Sequence, residues 1–214
     1  EVRRTGADVL MGAITIGRDD DGTARYFNSA VALGRDDARY SKSHLVAFGE
    51  FTPPLFAWTL SLLSIPMSDF GRGAPVQPPL DLAGEKVAVN ICYEDVFGEE
   101  LIAAARDATL LVNVSNTAWF GDSLAQPQHL QIAQLRALEM GRPMLRATNT
   151  GMTAAIGADG RIIAALPPFE RAGLRVELSG QQGLTPFMRW GNAPVVIGAL
   201  LLIGAAMVRR KASR

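Results

Sequence analysis

Only one cysteine, Cys92, occurs in the 214 residues of the chain. A single thiol cannot form an internal disulfide, so covalent cross-links do not hold this fold together. The chain also lacks an excess of charge, because 21 basic side chains balance 21 acidic ones. This balance gives no reason to expect a nucleic-acid partner, which usually selects a basic face. His44 and His129 have no second ligand at metal-binding spacing, so we expect no metal and no cofactor.

One long uncharged segment is present near the end of the chain. Residues 193–208 contain no charged side chain, and Arg209, Arg210, Lys211 and Arg214 follow. A membrane span needs about 20 apolar residues, so the segment is short unless Trp190 and the next two residues extend it. A buried core helix is the alternative. The basic cluster favours a transmembrane helix over 190–208 and a cytoplasmic tail over 209–214, which places residues 1–189 on the outer side.

Apolar runs of strand length alternate with helical patterns along most of the chain. Turn residues separate the first two runs at 18–23, and an Ala-Asp-Gly turn at 158–160 joins two later runs as a hairpin. We predict strands at 8–17, 24–34, 85–92, 108–116, 144–150, 153–157, 161–166 and 173–178, and helices at 98–107 and 127–141. This order indicates an α/β domain with a mixed sheet.

Residues 51–80 interrupt this pattern with several prolines and a dense set of large apolar side chains. Excursions of this length in compact domains are usually functional or disordered. Two interpretations stay open: an arm or lid that dips into lipid, or an ordinary satellite core under a long loop. The residues concerned are Phe51, Leu55, Phe56, Trp58 and Leu62.

Cys92 stands at the end of a predicted strand, where ligands gather in open α/β sheets. A free cysteine is often a small buried hydrophobe, and a nucleophilic role requires a nearby cation. Lys42, which follows a strand-like segment among small and apolar residues, is the best-placed candidate, although a surface lysine in a turn is the alternative. Trp119 and Phe120 are either a pocket wall or simple packing residues.

Five ordered motifs resemble the apolipoprotein N-acyltransferases, a membrane-bound branch of the nitrilase superfamily. The motifs are "YSKSHLVAFGEF", "ICYE", "SNTAWFG", "RALEMGRPMLRATNTG" and "GLTPFMRWGN". The resemblance implies an αββα sandwich, here partial, with Cys92 as nucleophile, Lys42 as oxyanion stabiliser and Glu50 as a supporting glutamate. Tyr93 and Glu94 match the residues after the nucleophile. The general base of the family is an upstream glutamate, and Glu1 is the only glutamate before Lys42.

The resemblance further implies transfer of an acyl chain from a phospholipid, through a thioester on the cysteine, to the α-amine of a diacylglyceryl-cysteine at the N-terminus of a lipoprotein. We therefore expect a monomeric C-terminal part of a multi-pass inner-membrane enzyme, inactive alone, with its catalytic domain on the periplasmic side. Two alternatives remain: a membrane-anchored amidase that hydrolyses a small amide, and a catalytically dead binding module. The amidase would need no apolar excursion beside the site.

Overall fold

The computed structural model describes residues 2–18, 21–35, 37–53 and 70–212 of the chain. It is an α/β structure with one three-stranded and one six-stranded sheet, as the order of sequence patterns predicts. A single turn of helix, α1 (Val2–Thr5), precedes the first sheet. The predicted side chains at Leu55, Phe56, Trp58 and Leu62 lie outside the described residues.

The first sheet is an antiparallel meander of β1 (Val9–Arg18), β2 (Ala24–Leu33) and β3 (Ala38–Ser41). Exposed and half-buried side chains alternate along the second half of β1, the two-residue period of a strand with one covered face. Ile14 and Ile16 are 66% and 70% exposed, so the outer face of this sheet is open in the described structure.

The second sheet has the strand order β4 (Leu80–Leu82), β5 (Glu85–Ile91), β6 (Leu110–Ser115), β7 (Met144–Thr148), β8 (Ala154–Ile156) and β9 (Ile162–Ala165). Its centre is parallel, because β5 pairs with β6 and β6 with β7 in the same direction. Residues 87–91 of β5 are buried in succession, as expected for a central strand covered on both faces. The outer pairs are antiparallel.

Helices α2 (Gly98–Asp107) and α3 (Ala125–Met140) cover one face of the second sheet. The first sheet packs on the opposite face, where apolar side chains of β2, β3, β5 and β6 form a common core. The layer order of the described residues is thus sheet, sheet, helices. In this arrangement the carboxyl ends of the parallel strands meet beside the end of β3.

One predicted strand is wrong. Residues 173–178 have alternating half-buried and exposed side chains but form no strand, and no described strand pairs with them. The alternation in the sequence matches the alternating burial, but a strand also requires a hydrogen-bonded neighbour. The sequence patterns also missed β4 and a 3-10 helix at Cys92–Val96.

Two helices end the chain, a short α4 (Pro186–Trp190) and α5 (Ala193–Ala212). Trp190 therefore ends α4, and the apolar helix begins three residues later than predicted. The stretch Ala193–Arg210 is long and apolar enough to cross a membrane, and none of it is buried in the structure. The alternative of a helix buried in the core of the described domain is therefore wrong.

Candidate active site

Lys42 begins an irregular segment, the Lys42 loop (residues 42–51), directly after β3. Its side chain is 1% exposed, and its Nζ donates to Glu50 Oε2 at 2.7 Å. Glu50 also accepts from the backbone N–H of Val46 at 2.9 Å and from Asn28 Nδ2 at 2.7 Å. Burying an unpaired ammonium is very costly, so Glu50 is the partner that keeps the lysine charged inside the structure.

Cys92 follows β5 and opens the 3-10 helix of the Cys92 turn (residues 92–97). Its φ angle is 54°, a left-handed conformation that is uncommon for a residue with a side chain. Such conformations persist where the surrounding structure enforces them, and they cluster at functional sites. The Sγ atom lies 4.0 Å from the carbonyl oxygen of Asn116.

Glu94 connects the Cys92 turn to the Lys42 loop. Its carboxylate is 2% exposed and accepts from the backbone N–H groups of Ser43 at 2.8 Å and His44 at 3.0 Å, the two residues after Lys42. It also accepts from the N–H of Ile91, the residue before Cys92, at 2.7 Å. Tyr40 in β3 donates its hydroxyl to both carboxylate oxygens. Glu94 therefore holds the lysine and cysteine segments together.

Asp95 holds the other side of the Cys92 turn. It is fully buried and accepts from Arg146 Nη1 at 3.1 Å and from His129 Nε2 at 2.9 Å. His129 also lies 3.3 Å from the carbonyl oxygen of Cys92, and Asn113 Nδ2 donates to that same carbonyl at 3.1 Å. A buried polar network, formed by residues of α3 and of the parallel strands, thus holds the left-handed backbone at Cys92 in place.

The electrostatic environment of Cys92 combines opposing effects. Burial raises the pKa of the thiol above its ordinary value, and the charge of Asp95 raises this pKa further. The Lys42 ammonium, the Tyr93 N–H and the Arg146 guanidinium lower the same pKa. Lys42 acts in the predicted direction and has a larger effect than the Asp95 carboxylate, but burial has the largest effect of all. The thiol is therefore protonated at neutral pH and needs a base before it can attack.

Apolar side chains lie exposed on the two loops that leave the parallel strands. Trp119 and Phe120, in a 3-10 helix after β6, are 80% and 44% exposed. Tyr93 is half-exposed, with its ring edge-on to Phe97. Simple core packing is therefore wrong for Trp119, and these rings stay available to line a surface or a substrate. Phe51, at the end of the Lys42 loop, contacts the Arg72 guanidinium at 4.5 Å.

Several polar residues of the site were not identified from the sequence. Asn28 and Asn113 are single polar residues inside strands, and no motif marks them. His129 is buried, with its Nε2 bonded to Asp95 and its Nδ1 without a hydrogen-bond partner among the described residues. The sequence signal that could have identified such residues is a charged residue within an apolar strand, as with Arg146 in β7. Among the described residues, no three His, Cys, Asp or Glu side chains are grouped to hold a metal.

The chain matches known proteins over most of its length. A family model described as carbon-nitrogen hydrolase matches residues 3–181. The chain is 51% identical over 217 residues to the apolipoprotein N-acyltransferase of Ralstonia nicotianae, and 52% identical over 208 residues to that of Nitrosomonas europaea. These alignments cover 98% and 95% of this chain and 41% of each relative. The chain therefore spans about two fifths of the length of these curated relatives.

The fold is also shared with solved structures. A carbon-nitrogen hydrolase from Helicobacter pylori G27 superposes with a TM-score of 0.59 at 18% sequence identity. The superposition covers 79% of this chain and 61% of that one. At this identity the likeness concerns the fold alone.

Proposed function

Since the chain belongs to the carbon-nitrogen hydrolase family, we propose that it is the acyl-transferring part of an apolipoprotein N-acyltransferase. The donor is a phospholipid, and the acceptor is the α-amine of a diacylglyceryl-cysteine at the N-terminus of a lipoprotein. One observation carries this proposal: the buried Glu94 carboxylate binds the backbone just after Lys42 and just before Cys92, so the buried lysine and the only thiol of the chain are joined at the carboxyl end of a parallel strand. Relatives that are about 50% identical over nearly the whole chain are named for this activity.

In the first step, the Cys92 sulfur attacks the ester carbonyl of the phospholipid. A base removes the thiol proton, and the carbonyl carbon becomes tetrahedral with a negative oxygen. Lys42 and the Tyr93 N–H stabilise this oxyanion, and the way that both groups lower the pKa of the Cys92 thiol supports this role. The carbon–oxygen bond then breaks, the lysophospholipid leaves as an alcohol that takes up the proton, and a thioester remains on Cys92. By resemblance, the base is a glutamate upstream of residue 1.

In the second step, the lipoprotein amine attacks the thioester. The amine loses a proton to the base, the carbon–sulfur bond breaks, and the Cys92 thiolate recovers the proton. Glu50 supports Lys42, since its carboxylate accepts from Lys42, from the Val46 N–H and from Asn28. It holds Lys42 in place throughout the cycle.

The membrane placement belongs to the same proposal. Residues 1–189 form the catalytic domain on the periplasmic side of the bacterial inner membrane, residues 190–208 enter and cross the bilayer, and residues 209–214 are cytoplasmic. The exposed rings of Tyr93, Trp119 and Phe120 support this arrangement, because acyl-chain substrates need an apolar surface near the bilayer.

The test follows the fate of a labelled acyl chain. Full-length protein in detergent receives a phospholipid labelled in its acyl chain, with or without a peptide that starts with diacylglyceryl-cysteine. We expect label on Cys92 without the peptide, and a labelled amide on the peptide when it is present. Cys92→Ser serves as the matched control, since an oxygen ester would be far less reactive toward the amine.

Two outcomes would contradict the proposal. Free labelled fatty acid released as fast as the donor is consumed, with no amide, would favour a hydrolytic amidase-type enzyme. No label on Cys92 and no turnover in the full-length protein would favour a binding module.

A further inference from the structure

The linker between the catalytic domain and α5 is docked on the domain. Met188 in α4 is 1% exposed and belongs to the core between the helices and the second sheet. Arg106 at the end of α2 donates to the Met188 carbonyl at 2.9 Å. Thr185 caps α4 through its side chain and also donates to the carbonyl of Glu139 in α3. The chain that enters α5 therefore starts from a fixed position.

The last contact before α5 is made by Glu99. Its Oε1 accepts the backbone N–H of Asn192 at 2.8 Å. The Asn192 carbonyl in turn accepts from Val195 and Val196, so Asn192 is the N-cap of α5. A carboxylate at this position satisfies a free N–H and lies at the positive end of the helix dipole.

Gly191 supports this contact independently. Its φ is 54°, and a Cβ at this position would collide with the Glu99 carboxylate. Glycine is therefore required both by the backbone conformation and by the close approach of Glu99. Gly191 and Asn192, two adjacent residues of the linker, thus both lie against the Glu99 side chain.

Glu99 also belongs to the structure that holds the nucleophile. It lies in the first turn of α2, which directly follows the Cys92 turn. The Cys92 turn is fixed on one side by Glu94 and on the other by Asp95, both buried. Glu99, an exposed side chain, therefore joins the N-terminus of α5 to the helix that directly follows the Cys92 turn.

We infer that Glu99 is a positioning residue that fixes the membrane helix relative to Cys92, so that the thiol is held within reach of lipid in the bilayer. The inference rests on the proposed function for its purpose, because only a bilayer-resident acyl donor requires this alignment. A soluble substrate would reach Cys92 whatever the orientation of α5. Loss of this contact should therefore change how easily a molecule in the bilayer reaches Cys92, without changing the intrinsic reactivity of the thiol.

The test measures access without acyl transfer. Full-length protein in phosphatidylcholine vesicles is alkylated either by N-hexadecylmaleimide, which resides in the bilayer, or by water-soluble N-ethylmaleimide. Peptide mass spectrometry quantifies the modification at Cys92. We expect Glu99→Ala to lower the ratio of bilayer to soluble alkylation by at least about threefold, with the N-ethylmaleimide rate unchanged.

Three further variants sharpen the result. Gly191→Ala should lower the ratio in the same way, since its Cβ displaces the linker from Glu99. Glu99→Gln keeps an oxygen that can accept the Asn192 N–H and should stay close to wild type. Asp107→Asn, at the opposite end of α2, is the control for loss of one carboxylate.

A ratio that is unchanged in both Glu99→Ala and Gly191→Ala would overturn the inference, as would a wild-type Cys92 that N-hexadecylmaleimide does not reach. The two proposals fail separately. Absence of a phospholipid-derived thioester in the wild type would reject the proposed function, and the alkylation ratio would still decide the role of Glu99.

Discussion

The Lys42 loop and the Cys92 turn supply the two reactive groups, but they are held in place by different means. The Cys92 turn continues a central parallel strand, and a buried network of Asp95, His129 and Arg146 fixes it from behind. The Lys42 loop follows the short strand β3 and depends on two carboxylates, Glu50 within the loop and Glu94 from the Cys92 turn.

This difference shows that the sheet forms the Cys92 side of the site, whereas the Lys42 side also depends on a carboxylate from another segment. The Cys92 turn is held by the second sheet and by its buried polar network. The Lys42 loop is held by Glu50 and by Glu94, which binds the backbone that follows Lys42. Glu94 is the buried side chain that joins the two regions, the His44 ring adds a stacking contact with Phe97, and variants at Glu94, Lys42 and His129 should affect the two regions unequally.

The largest effect is expected for Glu94→Ala. This change leaves the N–H groups of Ser43, His44 and Ile91 and the Tyr40 hydroxyl without their acceptor. Unsatisfied buried donors cost about 1–3 kcal/mol each, so we expect a loss of at least about 3 kcal/mol in the free energy of unfolding. Chemical denaturation of the full-length protein measures this loss.

Glu100→Ala is the matched control for Glu94→Ala. Glu100 is a half-exposed carboxylate, and it bonds the His44 ring rather than buried backbone. We expect a change of less than about 1 kcal/mol. Equal losses in the two variants would contradict the role given to Glu94.

The next effect is expected for Lys42→Met. Loss of an oxyanion donor costs about 10²–10³ in rate, so thioester formation at Cys92 should fall by this factor. Stability should also fall, because Glu50 is left without its cation. Mass spectrometry of the acyl-enzyme and denaturation measure the two losses separately.

The double variant Lys42→Met with Glu50→Gln separates structure from catalysis. Removing the uncompensated carboxylate should restore most of the stability, while thioester formation stays low. If thioester formation returned together with stability, Lys42 would be a structural residue only.

Of the three variants at Glu94, Lys42 and His129, the smallest effect is expected for His129→Ala. The imidazole contacts the Cys92 carbonyl and Asp95, while Asn113 and Arg146 keep binding the same two groups. A net loss of about 1–2 kcal/mol in unfolding free energy is expected. A loss as large as that of Glu94→Ala would mean that the Cys92 turn is not held mainly by the sheet.

Much of this arrangement could be predicted from the sequence. The α/β class, the strand that ends at Cys92 and the start of α2 near Gly98 are confirmed, because apolar runs and turn residues mark them locally. The nitrilase-like fold implied by the motifs is confirmed by the family match and the solved structures.

The remaining features depend on partners that are distant in sequence. The meeting of Glu94 with Ser43 and His44 joins positions about 50 residues apart, and no local pattern encodes it. The strand predicted at 173–178 failed for a related reason, since strand formation requires a neighbour. The pKa of Cys92 could not be predicted either, because it depends on how deeply the sulfur is buried.

The central claim is that the Lys42 charge acts on the sole thiol of the chain, and the pH dependence of Cys92 alkylation tests it most directly. Because only the thiolate reacts, the alkylation rate by N-ethylmaleimide should still rise above pH 9.0, the ordinary pKa of the thiol, in the wild type. The midpoint should move to still higher pH in Lys42→Met with Glu50→Gln. An identical midpoint in the two proteins would contradict the claim.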